Sequence, residues 1–239
     1  MTQLSVNINK IATIRNARGG NNPNLTQIAI DCENFGAQGI TIHPRPDERH
    51  ITTEDVYNLK KVVRTELNIE GNPDQRFIDV VSEVLPQQVT LVPDAVDAIT
   101  SNAGWDTIKY QNHLTDLVSH FKSLGIRTSI FLDPNPNLLE SAKATGADRI
   151  ELYTEPYAEN YFKNKEQAIA QFIETAKQAQ NLGLDINAGH DLDLDNLAFF
   201  HQNIPNLKEV SIGHALVCDA FIFGLKETIE KYKHITDSN

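Results

Sequence analysis

Hydrophobic and polar positions along this chain alternate between two spacings. Short β-type runs recur from one end to the other, and each is followed by a longer stretch in which apolar residues return with the 3.6-residue period of a helix. The runs Leu4–Ile8, Gly39–His43, Leu67–Glu70, Val89–Val92, Arg127–Leu132, Arg149–Leu152, Leu184–Asn187 and Val210–Ile212 are read as strands. They are short and apolar, as expected of parallel strands covered on both faces. Between them, Leu25, Ile28, Ala29, Cys32 and Phe35 share one helical face, as do Ile169, Phe172, Ile173 and Ala176. Thr52 followed by Asp55 predicts a helix start ahead of Val56, Leu59 and Val63. Gly36, Gly125, Gly146 and Gly183 each stand just before a strand, where a left-handed residue closes the preceding helix.

About eight strand–helix units of roughly 30 residues each favour a closed eight-stranded α/β barrel. An open doubly wound sheet is the second choice, but a dinucleotide-binding sheet would carry GxGxxG after the first strand, and none is there. No linker, charge block or low-complexity run divides the chain, so one domain over residues 1–239 is expected. The stretch Ser101–Gly125 is long for one crossover. An extra helix is expected in it, with Trp105, Ile108, Leu114, Leu117, Val118 and Phe121 as contacts.

Composition narrows the partners. With 32 acidic against 21 basic side chains the net charge is −11, which argues against nucleic acid and against an anionic membrane surface. An anionic small-molecule ligand would have to be met by a few locally placed cations, for which Arg45, His50 and Arg18 are the candidates. Cys32 and Cys218 lie in apolar stretches without CxxC spacing and are expected to be buried, reduced thiols. No secretory leader pattern or long apolar span is visible, so the expected location is cytoplasmic.

In a barrel the reactive residues gather where strands run into loops. Those positions hold Asn7, Asn9 and Lys10 after strand one, His43 and Arg45 after strand two, and Glu70 at the end of strand three. Strand four leads to Thr100. Strand six carries Glu151, with Arg149 expected to face the other way. Strands seven and eight run into Gly189-His190-Asp191 and Gly213-His214, the usual place for a barrel's phosphate site. A single strand-end histidine is more often structural than catalytic, but His43 and His190 on one face with Glu70 and Glu151 form a set suited to proton transfer. Salt bridges to neighbouring arginines are the alternative for the two glutamates. The Asp191, Asp193, Asp195 run lacks the glycine and distal glutamate of a calcium loop and is read as a solvated helix start.

Taken in order, Asn7-x-Asn9-Lys10-Ile-Ala-Thr-x-Arg15-Asn-Ala-Arg18-Gly, Gly39-Ile-Thr-Ile-His43-Pro-Arg45-Pro-Asp-x-Arg49-His50-Ile, Asn68-Ile-Glu70, Asn187-Ala-Gly-His190 and Ile212-Gly-His214-Ala resemble the pyridoxine 5′-phosphate synthase family. The resemblance implies a TIM (β/α)8 barrel with extra helices, assembled as a homo-octamer. It implies condensation of 1-deoxy-D-xylulose 5-phosphate with 3-amino-2-oxopropyl phosphate, giving pyridoxine 5′-phosphate, phosphate and water, without metal or organic cofactor. By matching position, His43 and Glu70 would accept protons, His190 would donate one, and Glu151 would stabilise a transition state. Asn7, Arg18, the backbone at Asp191, and Gly213-His214 would hold the amino-ketone phosphate. Asn9, Lys10, Arg45, His50 and Thr100 would hold the ketose phosphate.

Two positions depart from the family's pattern: Asn9-Lys10 replaces the Asp-His of many members, and Asp191 stands where many have glycine. A metal-dependent epimerase or aldolase using the strand-end histidines and glutamates as ligands is one rival reading, and a barrel that only senses a phosphorylated metabolite is another.

Overall fold

A computed structural model describes residues 1–94 and 101–238. In chain order the elements are β1 (Gln3–Asn7), α1 (Asn9–Asn16), α2 (Leu25–Asn34), β2 (Gly39–Ile42), α3 (Thr53–Val62), β3 (Glu66–Gly71), α4 (Gln75–Val84) and β4 (Gln88–Leu91). They continue with α5 (Gln111–Ser123), β5 (Arg127–Leu132), α6 (Leu139–Ala144), β6 (Arg149–Leu152), α7 (Glu155–Tyr161) and α8 (Lys165–Asn181). The last are β7 (Asp185–Ala188), α9 (Leu197–Asn203), β8 (Leu207–Ile212), α10 (His214–Phe223) and α11 (Leu225–Asp237). Every strand pairs in parallel with its neighbour in sequence, and β1 closes on β8, so the sheet is the expected barrel. The strands are a residue or so offset from those read in the sequence, and β8 begins three residues earlier.

Local signals were met where they had a specific geometry behind them. The Thr52 hydroxyl accepts from the Asp55 N–H and the Asp55 carboxylate accepts from the Thr52 N–H, a capping box that starts α3. Gly36, Gly125, Gly146 and Gly183 all have positive φ, each directly past a helix cap. At Gly36 the following N–H of Ala37 returns to the Cys32 carbonyl, so the end of α2 is closed by two backbone bonds.

Several expectations are corrected. The long β4–β5 connection holds α5 as its one helix among the described residues. The additional helices are instead α1, α7 and one of the terminal pair α10 and α11. Trp105 and the α5 residues are buried as expected, but Ile108 is exposed. Cys32 is buried, whereas Cys218 is exposed on α10 because it falls on the face of that helix turned from the barrel.

A further correction concerns the strands themselves. Their outward positions are apolar and buried against the helices: Leu4 and Val6, Ile40 and Ile42, Leu67 and Ile69, Val89 and Leu91, Val210 and Ile212. The alternate, inward positions are polar, and Ser5, Thr41, Asn68, Thr90, Ser129, Glu151, Asn187 and Ser211 are all buried inside the barrel. Barrel interiors are usually filled by branched aliphatic side chains. Here the inner ring is hydrogen-bonded across strands: Ser5 with Thr41 at 2.7 Å, Asn68 Nδ2 to Thr41 at 3.4 Å, and Thr90 to Asn68 at 3.1 Å. Arg149 and Glu151 lie two apart on β6 and therefore share this inner face, contrary to the expectation that Arg149 points away.

Candidate active site

At the C-terminal mouth, β1 and β2 are tied together by two asparagines. Asn7 Oδ1 accepts from the Asn9 N–H at 3.1 Å, and Asn9 Oδ1 accepts from the His43 N–H at 2.9 Å. The Asn9 amide oxygen is thus committed to fixing the backbone of His43. The His43 ring is buried and lies edge-on to His50, centroids 6.4 Å apart. His50 Nδ1 accepts from the Ile51 N–H at 2.9 Å, which leaves the proton of the neutral ring on Nε2. Burial and the Arg45 guanidinium push His50 down to about 4, and burial together with Arg45, His50, Arg49 and Arg76 holds His43 well below the ordinary histidine range. Near pH 7 both rings are neutral, so His50 is not the local cation that the sequence suggested. Arg45 is, and it is buried with Nη2 2.6 Å from Asp94 Oδ2, which also accepts from Ser101 Oγ at 2.8 Å.

Two carboxyls face the same space. Glu70 ends β3 on the inner side and Glu151 occupies the inner side of β6. Burial raises Glu70 well above the ordinary carboxyl range, and the facing Glu151 raises it further, with Arg45 opposing. Burial raises Glu151 to about 7, against the pull of His190 and of a hydrogen bond from Thr90. Glu151 Oε2 is buried without a hydrogen-bond partner among the described residues. Both are raised carboxyls fit for proton exchange rather than arms of salt bridges.

His190 approaches from β7. Its carbonyl accepts from Thr154 Oγ1 at 2.5 Å, its ring meets Tyr153 edge-on with centroids 5.2 Å apart, and its Nδ1 lies 3.0 Å from Asp191 Oδ2. Burial opposes the imidazolium, but the bond to Asp191 and the charges of Asp191, Glu155 and Glu151 outweigh it and raise the His190 pKa. One strand on, Gly213 precedes α10 with no side chain capping the helix N-terminus, so N–H groups of the first turn are open to an anion. A side chain at Gly189 would collide with the Ser211 backbone, and one at Gly213 would press on the Asn7 side chain, so both turns need glycine for close approach. Lys10 and His214 are exposed beside this turn. Both charges act on Asp191. Arg18 is exposed beyond α1, and no contact with the described residues places it in the mouth. Thr100 lies outside the described residues.

The sequence pattern of one family, described as pyridoxal phosphate biosynthesis protein PdxJ, matches residues 4–238. The chain belongs to the PdxJ family. Within it, the chain is 65% identical over 232 residues to the pyridoxine 5′-phosphate synthase of Cytophaga hutchinsonii, covering 97% of this chain and 98% of that one. It is 63% identical over 238 residues to the protein of the same name from Parabacteroides distasonis, covering both chains in full. Among solved structures, the phosphoribosylanthranilate isomerase of Thermotoga maritima aligns with a TM-score of 0.61 at 12% identity, covering 99% of this chain and 98% of that one. The corresponding isomerase of Pyrococcus furiosus aligns at 0.63 and 10%, covering 99% and 98%. At such identities these two share the fold alone.

This PdxJ chain also has mouth residues that the strand-end reading missed. Asp94 follows β4 and anchors Arg45; Tyr153 and Glu155 flank His190. Tyr153 was findable, because it stands two residues beyond Glu151 and so continues the inner face of β6. Asp94 lies on the strand-four exit that leads to Thr100, but its pairing with Arg45 had no signal in the sequence, and Glu155 sits at a helix start whose path only the fold determines.

Proposed function

We propose that this chain is a pyridoxine 5′-phosphate synthase, joining 1-deoxy-D-xylulose 5-phosphate and 3-amino-2-oxopropyl phosphate into pyridoxine 5′-phosphate with release of phosphate and water. The observation that carries this reading is the convergence on one mouth of a neutral His43, two raised carboxyls, Glu70 and Glu151, and a His190 whose proton is favoured. Condensing an amine with a ketone, losing water and phosphate and closing a ring requires protons to be taken and given at several atoms, and a set whose acid–base properties diverge supplies both. His43 and Glu70 serve as acceptors, His190 as donor, and Glu151 stabilises charge as it develops. Arg45, with His50 as a neutral Nε2–H donor and with Asn9, Lys10 and Thr100, holds the ketose phosphate. Asn7, Arg18, the Asp191 backbone and the open turn at Gly213-His214 hold the amino-ketone phosphate. Keeping both substrates in one pocket removes much of the entropic barrier to a bimolecular step.

No metal or organic cofactor enters this reading. Incubating the purified protein with both substrates should give pyridoxine 5′-phosphate and inorganic phosphate in equal amounts, unchanged after chelation. Absence of the product, or turnover that disappears with chelation and returns with a divalent metal, would reject it.

The same reading places the protein in the cytoplasm as a homo-octamer. Phe221 and Ile222 on α10 are 75% and 77% exposed beside Cys218, an apolar face suited to a second copy. None of the described helices is long and apolar enough to cross a membrane. Light scattering should give eight chains, and a smaller assembly that persists at high concentration would overturn the octamer.

A further inference from the structure

Asp191 occupies a backbone position that suits glycine. Its φ is +61°, in the left-handed region that side chains other than glycine enter at a cost. The residue is nevertheless an aspartate, and its carboxylate engages the imidazole of its own neighbour: Oδ2 lies 3.0 Å from His190 Nδ1. The turn is held in place by Asn196, whose Nδ2 donates to the Asp191 carbonyl at 3.1 Å. The opposite edge of His190 is set by the Tyr153 ring, so the imidazole is gripped from two sides.

We propose that Asp191 is a positioning residue of this enzyme, fixing His190 through Nδ1 so that proton transfer to substrate falls to Nε2, and stabilising the charged ring while it waits. The inference rests on the reading of His190 as the proton donor. The groups facing His190 are Asp191 on its own turn, Glu155 at the start of α7, and Glu151 and Tyr153 from β6 and its extension. All three carboxyl groups favour the imidazolium, and Asp191 is in direct contact with it. The Asp191 pKa is lowered first by its hydrogen bond to His190, against burial, with smaller contributions from the His190 charge and from His214 on α10 and Lys10 on α1. A carboxylate beside a phosphate site would repel the ligand; paired with His190, its charge is balanced by the imidazolium.

The sign follows from the chemistry. A donor must be protonated, so activity falls as pH rises through the His190 pKa, and losing the Asp191 charge moves that fall to lower pH. Two variants separate charge from backbone: Asp191→Asn keeps the shape and removes the charge, and Asp191→Gly also relieves the left-handed backbone. The His190 imidazole in the full-length protein without substrate, followed by NMR titration, should lose its proton about one pH unit lower in both variants, the shift expected of one partly exposed opposite charge. The basic limb of kcat/KM should move by the same amount, so that one unit above the wild-type limb both variants are about tenfold slower than wild type, with the acidic limb unmoved. An unmoved His190 titration in both variants would overturn the proposal, as would a moved titration with an unmoved basic limb. Wild-type protein that makes no pyridoxine 5′-phosphate would count against the function and leave the titration to decide the pairing separately.

Discussion

The two ends of the barrel lumen hold similar residues in opposite condition. At the N-terminal floor, Arg149 Nη1 lies 2.9 Å from Glu209 Oε2 and also donates to Gln88 Oε1 and Asn187 Oδ1, while Arg127 pairs with Glu66. At the C-terminal mouth, Glu70 and Glu151 face each other across the lumen, with Arg45 drawn instead to Asp94. Carboxyls at the floor lie in contact with guanidinium groups, although burial and Glu66 still raise Glu209 to about 8 against the pull of Arg149. Those at the mouth face one another and His190 instead, where a proton can be exchanged with a substrate. If this contrast is real, substitutions at the mouth should act on turnover and substitutions at the floor on stability.

The largest effect is expected at the mouth. Glu70→Gln and His43→Asn each keep side-chain shape while removing an acceptor, and each should lower kcat by a factor of about 10²–10⁴ with little change in either Michaelis constant. Thermal unfolding of His43→Asn near pH 7 should change little, whereas Glu70→Gln should be stabilised, because the raised Glu70 carboxyl costs the wild type stability there. Turnover within a few fold of wild type for either variant would remove that residue from the acid–base set.

Half of this contrast was legible before the fold was known. The strands, their order and the mouth residues followed from β-type runs at regular spacing and from the polar residue at each run's end. The lumen was legible too but was misread: Leu4-Ser5-Val6-Asn7, Ile40-Thr41-Ile42-His43 and Leu67-Asn68-Ile69-Glu70 alternate apolar and polar, the period-2 sign of one greasy and one polar face, yet the apolar members suggested strands buried in oil on both sides. What pattern could not supply was partnership. Arg149 with Glu209 and Arg45 with Asp94 are 60 and 49 residues apart, and their pairing depends on barrel closure and register. His50 shows the same limit: its sequence neighbours suggest a cation, whereas burial beside Arg45 makes it neutral.

At the floor the expected effects are asymmetric. Glu209→Leu strands the Arg149 guanidinium, which stays charged, and should cost about 3–5 kcal/mol in denaturant unfolding. Arg149→Met should cost less, because burial and Glu66 already push the Glu209 carboxyl up, so it can neutralise itself by taking a proton. Equal losses for the two variants would contradict that difference. In both, kcat per folded molecule should stay close to wild type.

A pH series at the mouth comes next in size. Because the folded-state pKa of Glu151 is raised from 4.5 to about 7, its contribution to stability is fully present below pH 4.5 and is lost as pH rises through 7. Glu151→Gln removes that loss. The variant should therefore be more stable than wild type above pH 7 by on the order of 3 kcal/mol, and the two should converge in acid. Wild type and variant with parallel stability curves from pH 5 to 9 would show that Glu151 is ionised in the folded protein across that range and would undo the contrast between floor and mouth.

The smallest effect serves to test whether stability and turnover are separable at all. Gly146 closes α6 with φ +85°, and the nearest atom to an added Cβ is Val118 Cγ1 at 3.8 Å, so alanine fits sterically and meets only the backbone penalty. That penalty is about 1 kcal/mol for a left-handed residue. Because α6 contributes no mouth residue, Gly146→Ala should lower the denaturant midpoint while leaving kcat and the pH dependence of turnover as in wild type. If this distant change moved the basic limb of the pH profile, protonation at the mouth would be tied to overall stability, and the shifts expected at Asp191 and Glu151 would lose their local meaning.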